Sequence, residues 1–266
     1  MTKPPDRTWE GADAYEAFMG RWSRPLAQKF IEWLQPPPSA HWLEVGCGTG
    51  ALTAAICDRC EPASVLGSDP SAPFLEHARI QVSDARASFV VAGAESLPHR
   101  EGGFDAIVSG LVFNFLPDPV QVAASVRERL RPGGLFAFYV WDYSEGMEFL
   151  RAFWEEAIAA DPQAADRAEH LGFPLCRPPA LASLLETAGF AQVQVGSLEI
   201  PTDFADFDDY WLPFLRGTGT GPSFVTTLDA TSREVLRERL ERRLEPGSDG
   251  RIRLNARSWA VRGLAS

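Results

Sequence analysis

Leu43-Glu44-Val45-Gly46-Cys47-Gly48-Thr49-Gly50 is a short apolar run that breaks into a glycine-rich turn, and a helix-forming segment follows from Ala51. Glycines spaced this closely let the backbone bend sharply and approach a ligand without an intervening Cβ. The turn alone is ambiguous, because Gly46, Gly48 and Ala51 also satisfy the G-x-G-x-x-A dinucleotide fingerprint. Two carboxylates narrow the choice. Asp69 closes the next apolar run, Val65-Leu66-Gly67-Ser68-Asp69, where a ribose diol would accept it. Glu44 lies within the end of the first run, where it would repel a pyrophosphate and attract a positively charged ligand.

Working outward, short continuous apolar runs at 42–45, 64–68, 88–91, 104–109 and 135–140 have the form of strands buried on both faces. Helical segments separate them. The clearest spans 118–130, with Val122, Val126 and Leu130 on one face and Pro132-Gly133-Gly134 as its stop. Such alternation predicts a parallel sheet with right-handed crossovers. Upstream, helices are expected at 12–19 and 25–35, the second ended by Pro36-Pro37-Pro38. Downstream, 144–177 reads as helical, 178–188 as a helix closed by Gly189, and 193–200 as a strand. Residues 202–230 are aromatic, acidic and glycine-rich, and Phe204 to Gly221 reads as a mobile lid. Thr231 and Glu234 form a capping box for a charged helix to about Leu244, and a last strand covers 256–262.

With 266 residues, 45% of them hydrophobic, the chain can bury one large core, and length leaves one large α/β domain as plausible as two smaller ones. A net charge of −11 argues against a nucleic acid or an anionic membrane as partner. Arg233, Arg237, Arg239, Arg242 and Arg243 interleave with Glu234, Glu238 and Glu241 as a solvated helix face. The N-terminus lacks an apolar signal core, no run approaches the roughly 18 apolar residues of a membrane span, and four irregular cysteines suit a reducing compartment, so a cytoplasmic protein is expected. Cys57-x-x-Cys60 lacks a second ligand pair and reads as two buried thiols, with no metal.

NAD and S-adenosylmethionine (SAM) both carry a ribose for Asp69. Glu44 favours SAM, whose ammonium-bearing methionine end it would hold. At this point the residues resemble the small-molecule branch of the class I SAM-dependent methyltransferases, which includes the quinone-biosynthesis C-methyltransferases. The resemblance runs in order through most of the first 143 residues. It covers 43–50, then Gly67-Ser68-Asp69-Pro70-Ser71, then Ala92-Gly93-Ala94-Glu95-Ser96-Leu97-Pro98. It continues through Phe104 to Gly110 and Asn114-Phe115-Leu116-Pro117-Asp118-Pro119 to Arg131-Pro132-Gly133-Gly134 with 135–140.

The resemblance implies a doubly wound, Rossmann-like α/β sheet of seven strands in order 3-2-1-4-5-7-6, the last antiparallel. Residues 37–143 would form the cofactor-binding core, completed by 178–201 and 256–266, with cover from 1–36, 144–177 and 202–255. It implies methyl transfer from SAM to a small-molecule acceptor, with S-adenosyl-L-homocysteine as product. Glu44, Gly46, Cys47, Gly48 and Gly50 would hold the methionine part, Asp69 the ribose, and Pro70, Ser71, Ala94 and Glu95 the adenosine, with Ser109 and Gly110 completing the site. One departure stands out: the family commonly has an adenine-contacting acid where this chain has Gly93, so that contact would pass to the Ala94 backbone or the Glu95 side chain.

Such a transfer is an in-line displacement from a good leaving group, served by alignment and dehydration, and no histidine stands in a pattern that would make it a base. The acceptor is expected among Tyr15, Phe18, Asn114, Phe115, Trp141, Tyr143, Trp211 and Phe214. Two alternatives remain open from the residues: an NAD-dependent oxidoreductase on the same fold, and a non-catalytic SAM-binding partner subunit.

Overall fold

A computed structural model describes residues 16–36, 38–168, 173–216 and 219–266. The chain divides into two compact units. One comprises Trp22–Trp141, Leu175–Leu198 and Ser258–Ser266; the other comprises Asp142–Pro174, Glu199–Arg257 and the residues up to Arg21.

The first unit is built on the sheet. Its strands are β1 (His41–Val45), β2 (Ser64–Asp69), β3 (Ala87–Val91), β4 (Phe104–Gly110), β5 (Leu130–Trp141), β6 (Phe190–Phe204) and β7 (Ile252–Ala265), the last two shared with the second unit. Their order is β3-β2-β1-β4-β5-β7-β6, with β1 to β5 parallel and β7 antiparallel to β5 from Leu135 opposite Leu264 to Trp141 opposite Ser258. The expected order and reversal are therefore observed. Burial of Trp42, Leu43, Ala106, Ile107, Val108, Phe136 and Phe138 explains why the central runs carry no polar alternation: both faces are covered. The chain leaves β1 towards β2 on one side, while β4 pairs on the other, so the carboxyl ends of β1 and β4 form the switch point where such sheets bind ligands.

The helices of this unit are α1 (Arg21–Leu34), α2 (Ala51–Arg59), α3 (Ala72–Gln81), α4 (Pro119–Arg129) and α6 (Pro178–Thr187). Ser71 and Asp118 cap α3 and α4 by accepting from the amides of Phe74 and Gln121. The expected helix at 12–19 lies partly outside the described residues; Glu16–Gly20 is a π-helical turn running straight into α1, which starts before Pro25. Proline is tolerated there because the first turn has few intrahelical N–H bonds to lose. Pro132-Gly133-Gly134 bulges out of β5: the register passes from Phe104 opposite Leu130 to Ala106 opposite Leu135.

The second unit holds α5 (Glu148–Ala160), α7 (Phe207–Trp211), α8 (Thr220–Thr227) and α9 (Ala230–Arg243). Its core is aromatic. Phe214 stacks on Phe153 at 4.4 Å and meets Phe18 at 5.1 Å and Tyr210 at 5.4 Å, and the Tyr210 hydroxyl donates to the Phe149 carbonyl at 2.9 Å. Arg21 grips Asp209 through two bonds of 2.7 and 3.0 Å.

Three expectations are corrected here. The segment read as a mobile lid is core within its unit: Phe204, Tyr210, Trp211 and Phe214 are all at most 4% exposed. Of its glycines, Gly217 lies outside the described residues. Within 144–177 the helix stops at Ala160 and a 3-10 turn, Pro162–Arg167, follows. The cap of α9 is Asp229, which accepts from the Ser232 amide at 2.7 Å, not Thr231. A carboxylate placed before the first turn meets both the free amides and the helix dipole.

Candidate functional site

The carboxyl end of β1 is braced from three directions. The Ser68 hydroxyl on β2 donates to the Glu44 carbonyl at 3.0 Å, and the Ser109 hydroxyl on β4 donates to the Val45 carbonyl at 2.7 Å. From α2, the Thr53 hydroxyl donates to the Glu44 carboxylate. Beyond Val45 the amides of Gly46 and Cys47 both donate to the Ser68 carbonyl, at 2.7 and 3.0 Å. The turn then passes through left-handed backbone at Gly46, Gly48 and Gly50. At Gly46 a Cβ would lie 2.5 Å from Val112 Cγ2, so both conformation and space require glycine.

Asp69 joins this turn to the next one. Its Oδ2 accepts the Gly48 amide at 2.9 Å and its Oδ1 accepts the Ser71 amide at 2.8 Å. A carboxylate offers about four acceptor sites, so two backbone amides leave capacity for a diol. After β3, the Gly93 Cα is covered by Glu95, whose carboxyl carbon stands 2.7 Å from where a Cβ of residue 93 would be. The carboxylate two residues along thus fills the space an acid at 93 would enter.

Charge sets the chemistry of this strand-end cluster. Burial, reinforced by the nearby Asp69 charge and opposed by the Thr53 hydrogen bond, lifts the Glu44 carboxyl from its usual range to about 8. Burial also raises Asp69, against the pull of the Ser71 and Gly48 amides. The Cys47 thiol is pushed up by burial and by both carboxylates, so it stays protonated and is no nucleophile. Two buried acids with a neutral thiol between them form a site that binds a cation better than an anion.

The loop after β4 closes over the turn. Leu111 adopts left-handed backbone at φ 63°, its amide bonded to the Tyr139 carbonyl at 2.9 Å. Val112 then packs on Gly46, and Phe113 stacks on Phe138 at 4.3 Å.

Glu44, Gly46, Cys47, Gly48, Gly50, Asp69, Pro70, Ser71, Ala94, Glu95 and Gly110 all lie on the carboxyl ends of β1 to β4 or the turns leaving them. Ser109 is fully buried, with its hydroxyl committed to Val45. Asn114 and Phe115 occupy the loop after β4, and Trp141 is buried at the end of β5. Phe18, Tyr143, Trp211 and Phe214 lie in the second unit. Phe18 and Trp211 each pack on Phe214 there, and Tyr143 stacks on Phe173 at 4.6 Å. Tyr15 is outside the described residues. Thr53 and Ser68 were not anticipated; the hint for Thr53 was that a buried Glu44 needs a donor and a hydroxyl follows in the helix after the turn, whereas Ser68 reaches the Glu44 carbonyl only through strand register. Cys57 and Cys60 are buried thiols pushed up to about 12 and about 11, and among the described residues no group of three His, Cys, Asp or Glu side chains is arranged to hold a metal.

Comparison with known proteins adds a family to this geometry. The family described as "Methyltransferase domain" matches residues 43–138. A trans-aconitate 2-methyltransferase of Deinococcus radiodurans is 33% identical over 235 residues, covering 84% of each chain. A malonyl-[acyl-carrier protein] O-methyltransferase of Geobacter sulfurreducens is 34% identical over 185 residues, covering 69% of this chain and 67% of its own. Among solved structures, Haemonchus contortus phosphoethanolamine N-methyltransferase 2 in complex with S-adenosyl-L-methionine superposes with a TM-score of 0.57 at 15% identity, covering 96% of this chain and 57% of that one.

Proposed function

Because the chain belongs to the class I SAM-dependent methyltransferases, we propose that its acceptor is a small carboxylic acid, methylated on a carboxylate oxygen. Transfer of the SAM methyl group to a small-molecule acceptor, with S-adenosyl-L-homocysteine as product, is the activity of the family. The carboxylate reading is the finer step. It is supported by the relatives named for trans-aconitate and for a malonyl O-methyl transfer. The observation that carries it is chemical: the turns leaving β1, β2 and β4 carry no histidine or lysine, and the two strand-end carboxylates are already engaged, Glu44 by Thr53 and Asp69 by the Gly48 and Ser71 amides. His41 bonds Ser64 at the opposite end of β1. A carboxylate acceptor is already ionised at neutral pH and needs no base, whereas an alcohol or a carbon acid does.

The residues fit the cofactor. In our reading Glu44 faces the methionine ammonium, the turn from Gly46 to Gly50 lies against the methionine part, Asp69 takes the ribose hydroxyls, and Pro70, Ser71, Ala94 and Glu95 border the adenosine. SAM supplies an activated methyl group; the chain's contribution is to fix it and to exclude water. We read the whole chain, 1–266, as one methyltransferase domain, and we place it in the cytoplasm with no nucleic-acid partner, on the strength of its four free cysteines and its acidic charge. No helix among the described residues is long and apolar enough to cross a membrane.

Incubation with methyl-labelled SAM and a panel of small di- and tricarboxylic acids, phenols and amines tests the acceptor. Label released as methanol by mild alkali marks a carboxylate ester. Transfer confined to phenols, amines or carbon, stable to alkali, would discard the proposal.

Glu44 adds a pH signature. Its raised value of about 8 means that the cofactor-free protein carries a proton there at pH 7, which a bound cation displaces. SAM affinity should therefore climb as pH rises towards 8, by up to about tenfold per unit, and level off above it. The stability sign is opposite. A folded-state value above the unfolded one makes the contribution greatest below the ordinary carboxylate range and lost as pH rises through about 8, on the order of 1.4 kcal/mol per unit. Titration calorimetry of wild type and Glu44→Gln from pH 6 to 9 checks the affinity, and denaturant unfolding over the same range checks the stability; a wild-type affinity as flat as the variant's would exclude proton release from Glu44.

A further inference from the structure

One polar group at the strand ends, expected from the sequence to border the acceptor, is given no partner and no role by the fold of the described residues. Asn114 sits in a single 3-10 turn, Phe113–Phe115, and its side-chain nitrogen is buried with no hydrogen-bond partner among the described residues. Buried amide donors are normally paired, and an orphan is expensive to keep.

The backbone of the turn that holds it is pinned. Leu111 enters it in left-handed backbone, pinned by the Tyr139 carbonyl at 2.9 Å. Val112 presses on Gly46, Phe113 stacks on the β5 ring Phe138 at 4.3 Å and meets Phe136 at a tilt at 5.3 Å, and the Phe115 amide bonds back to the Val112 carbonyl at 2.8 Å. Strain in Leu111 and an unpaired donor in Asn114 therefore occur within four residues, beside the glycine turn, next to a Phe115 side chain that is 37% exposed and can move aside. Such coincidence of strain with an unsatisfied polar group marks a site prepared for a ligand atom.

The geometry points to Asn114 as a positioning residue for the acceptor: its side-chain amide donates to the acceptor carboxylate and aims the oxygen that attacks the methyl group. This rests on the carboxylate reading above. The local charge explains why an amide suits the task. Glu44 and Asp69 already make the strand ends acidic, so an anionic acceptor needs a donor that adds no further negative charge. A neutral amide also leaves the cationic cofactor unopposed. No proton is transferred by Asn114; the carboxylate oxygen gives an electron pair to the methyl carbon as the carbon–sulfur bond breaks onto sulfur, and the amide holds that oxygen in line.

Asn114→Asp and Asn114→Ala test this. Asp is nearly isosteric with Asn, so a merely structural role would leave the two alike, whereas a donor to an anion is both lost and replaced by a repelling charge. With an alkali-labile ester established for the wild type, Asn114→Ala should raise KM for the carboxylic acid at least tenfold, and Asn114→Asp at least a hundredfold. The affinity for S-adenosyl-L-homocysteine should stay within twofold, and the melting temperatures should stay close to wild type. An Asn114→Asp enzyme with wild-type KM overturns the assignment. So does a loss that falls on S-adenosyl-L-homocysteine affinity instead, which would make the cofactor's own carboxylate the partner. Should the wild type form no alkali-labile ester at all, it is the acceptor reading that fails, and the role given to Asn114 goes with it; the wild-type lane alone separates that outcome from the others.

Discussion

Replacing Asp69 by Ala should lower SAM affinity at least tenfold, and by as much as about a thousandfold, with little change in the sheet. The side chain has two duties. Its free acceptor capacity is assigned to the ribose hydroxyls, and hydrogen bonds to a charged group contribute about 1.5–3 kcal/mol each, against 1.4 kcal/mol for a factor of ten. Its other lone pairs hold the Gly48 and Ser71 amides, at 2.9 and 2.8 Å, and so couple the glycine turn to the turn after β2. Truncation orphans both amides and loosens the cradle in the same step. Asp69→Asn keeps one acceptor oxygen and most of the shape, so its loss should be intermediate. Calorimetry with SAM and with its 2′-deoxyribose analogue separates the two duties: the analogue should lose affinity against wild type and almost none against Asp69→Ala. Equal affinity of Asp69→Ala and wild type for SAM would remove Asp69 from the ribose.

The second large effect is on stability. Trp211→Ala with Phe214→Ala should unfold the aromatic unit, because both rings are buried to within 3% and Phe214 is the ring against which Phe153, Phe18 and Tyr210 pack. Each truncation of a buried aromatic costs about 3–5 kcal/mol, and although neighbouring losses are not additive, the pair approaches the roughly 5–15 kcal/mol that holds a whole domain. Thermal melting by circular dichroism should show a large early loss, and hydrogen exchange on the wild type should show 204–216 protected without any ligand. A double variant that melts like wild type but turns over slowly would restore the lid.

What could be read from the amino-acid order was whatever depends on short stretches of backbone. A glycine turn between a strand and a helix is written locally, since Gly46 must take left-handed backbone and leave room for a neighbour. The continuous apolar runs at β1, β4 and β5 announce burial on both faces, and an acid closing β2 announces a ribose partner. Those features, met in order, carried the family resemblance, and it was the resemblance that implied the sheet order and the cofactor.

What the order of residues left open depends on which side chains meet across strands and helices. The hydroxyls of Ser68, Ser109 and Thr53 brace the end of β1 only because strand register and the first turn of α2 bring them there. Glu95 covers Gly93 because the turn after β3 folds its carboxylate back. The aromatic stretch from Phe204 to Phe214 has a composition that serves a lid or a core equally, and only packing against Phe18, Phe149 and Phe153 made it core. Asn114 is the sharpest case. Its place in the loop after β4 pointed to the acceptor from the start; that its side-chain nitrogen is buried with no partner among the described residues is a property of the tertiary structure alone.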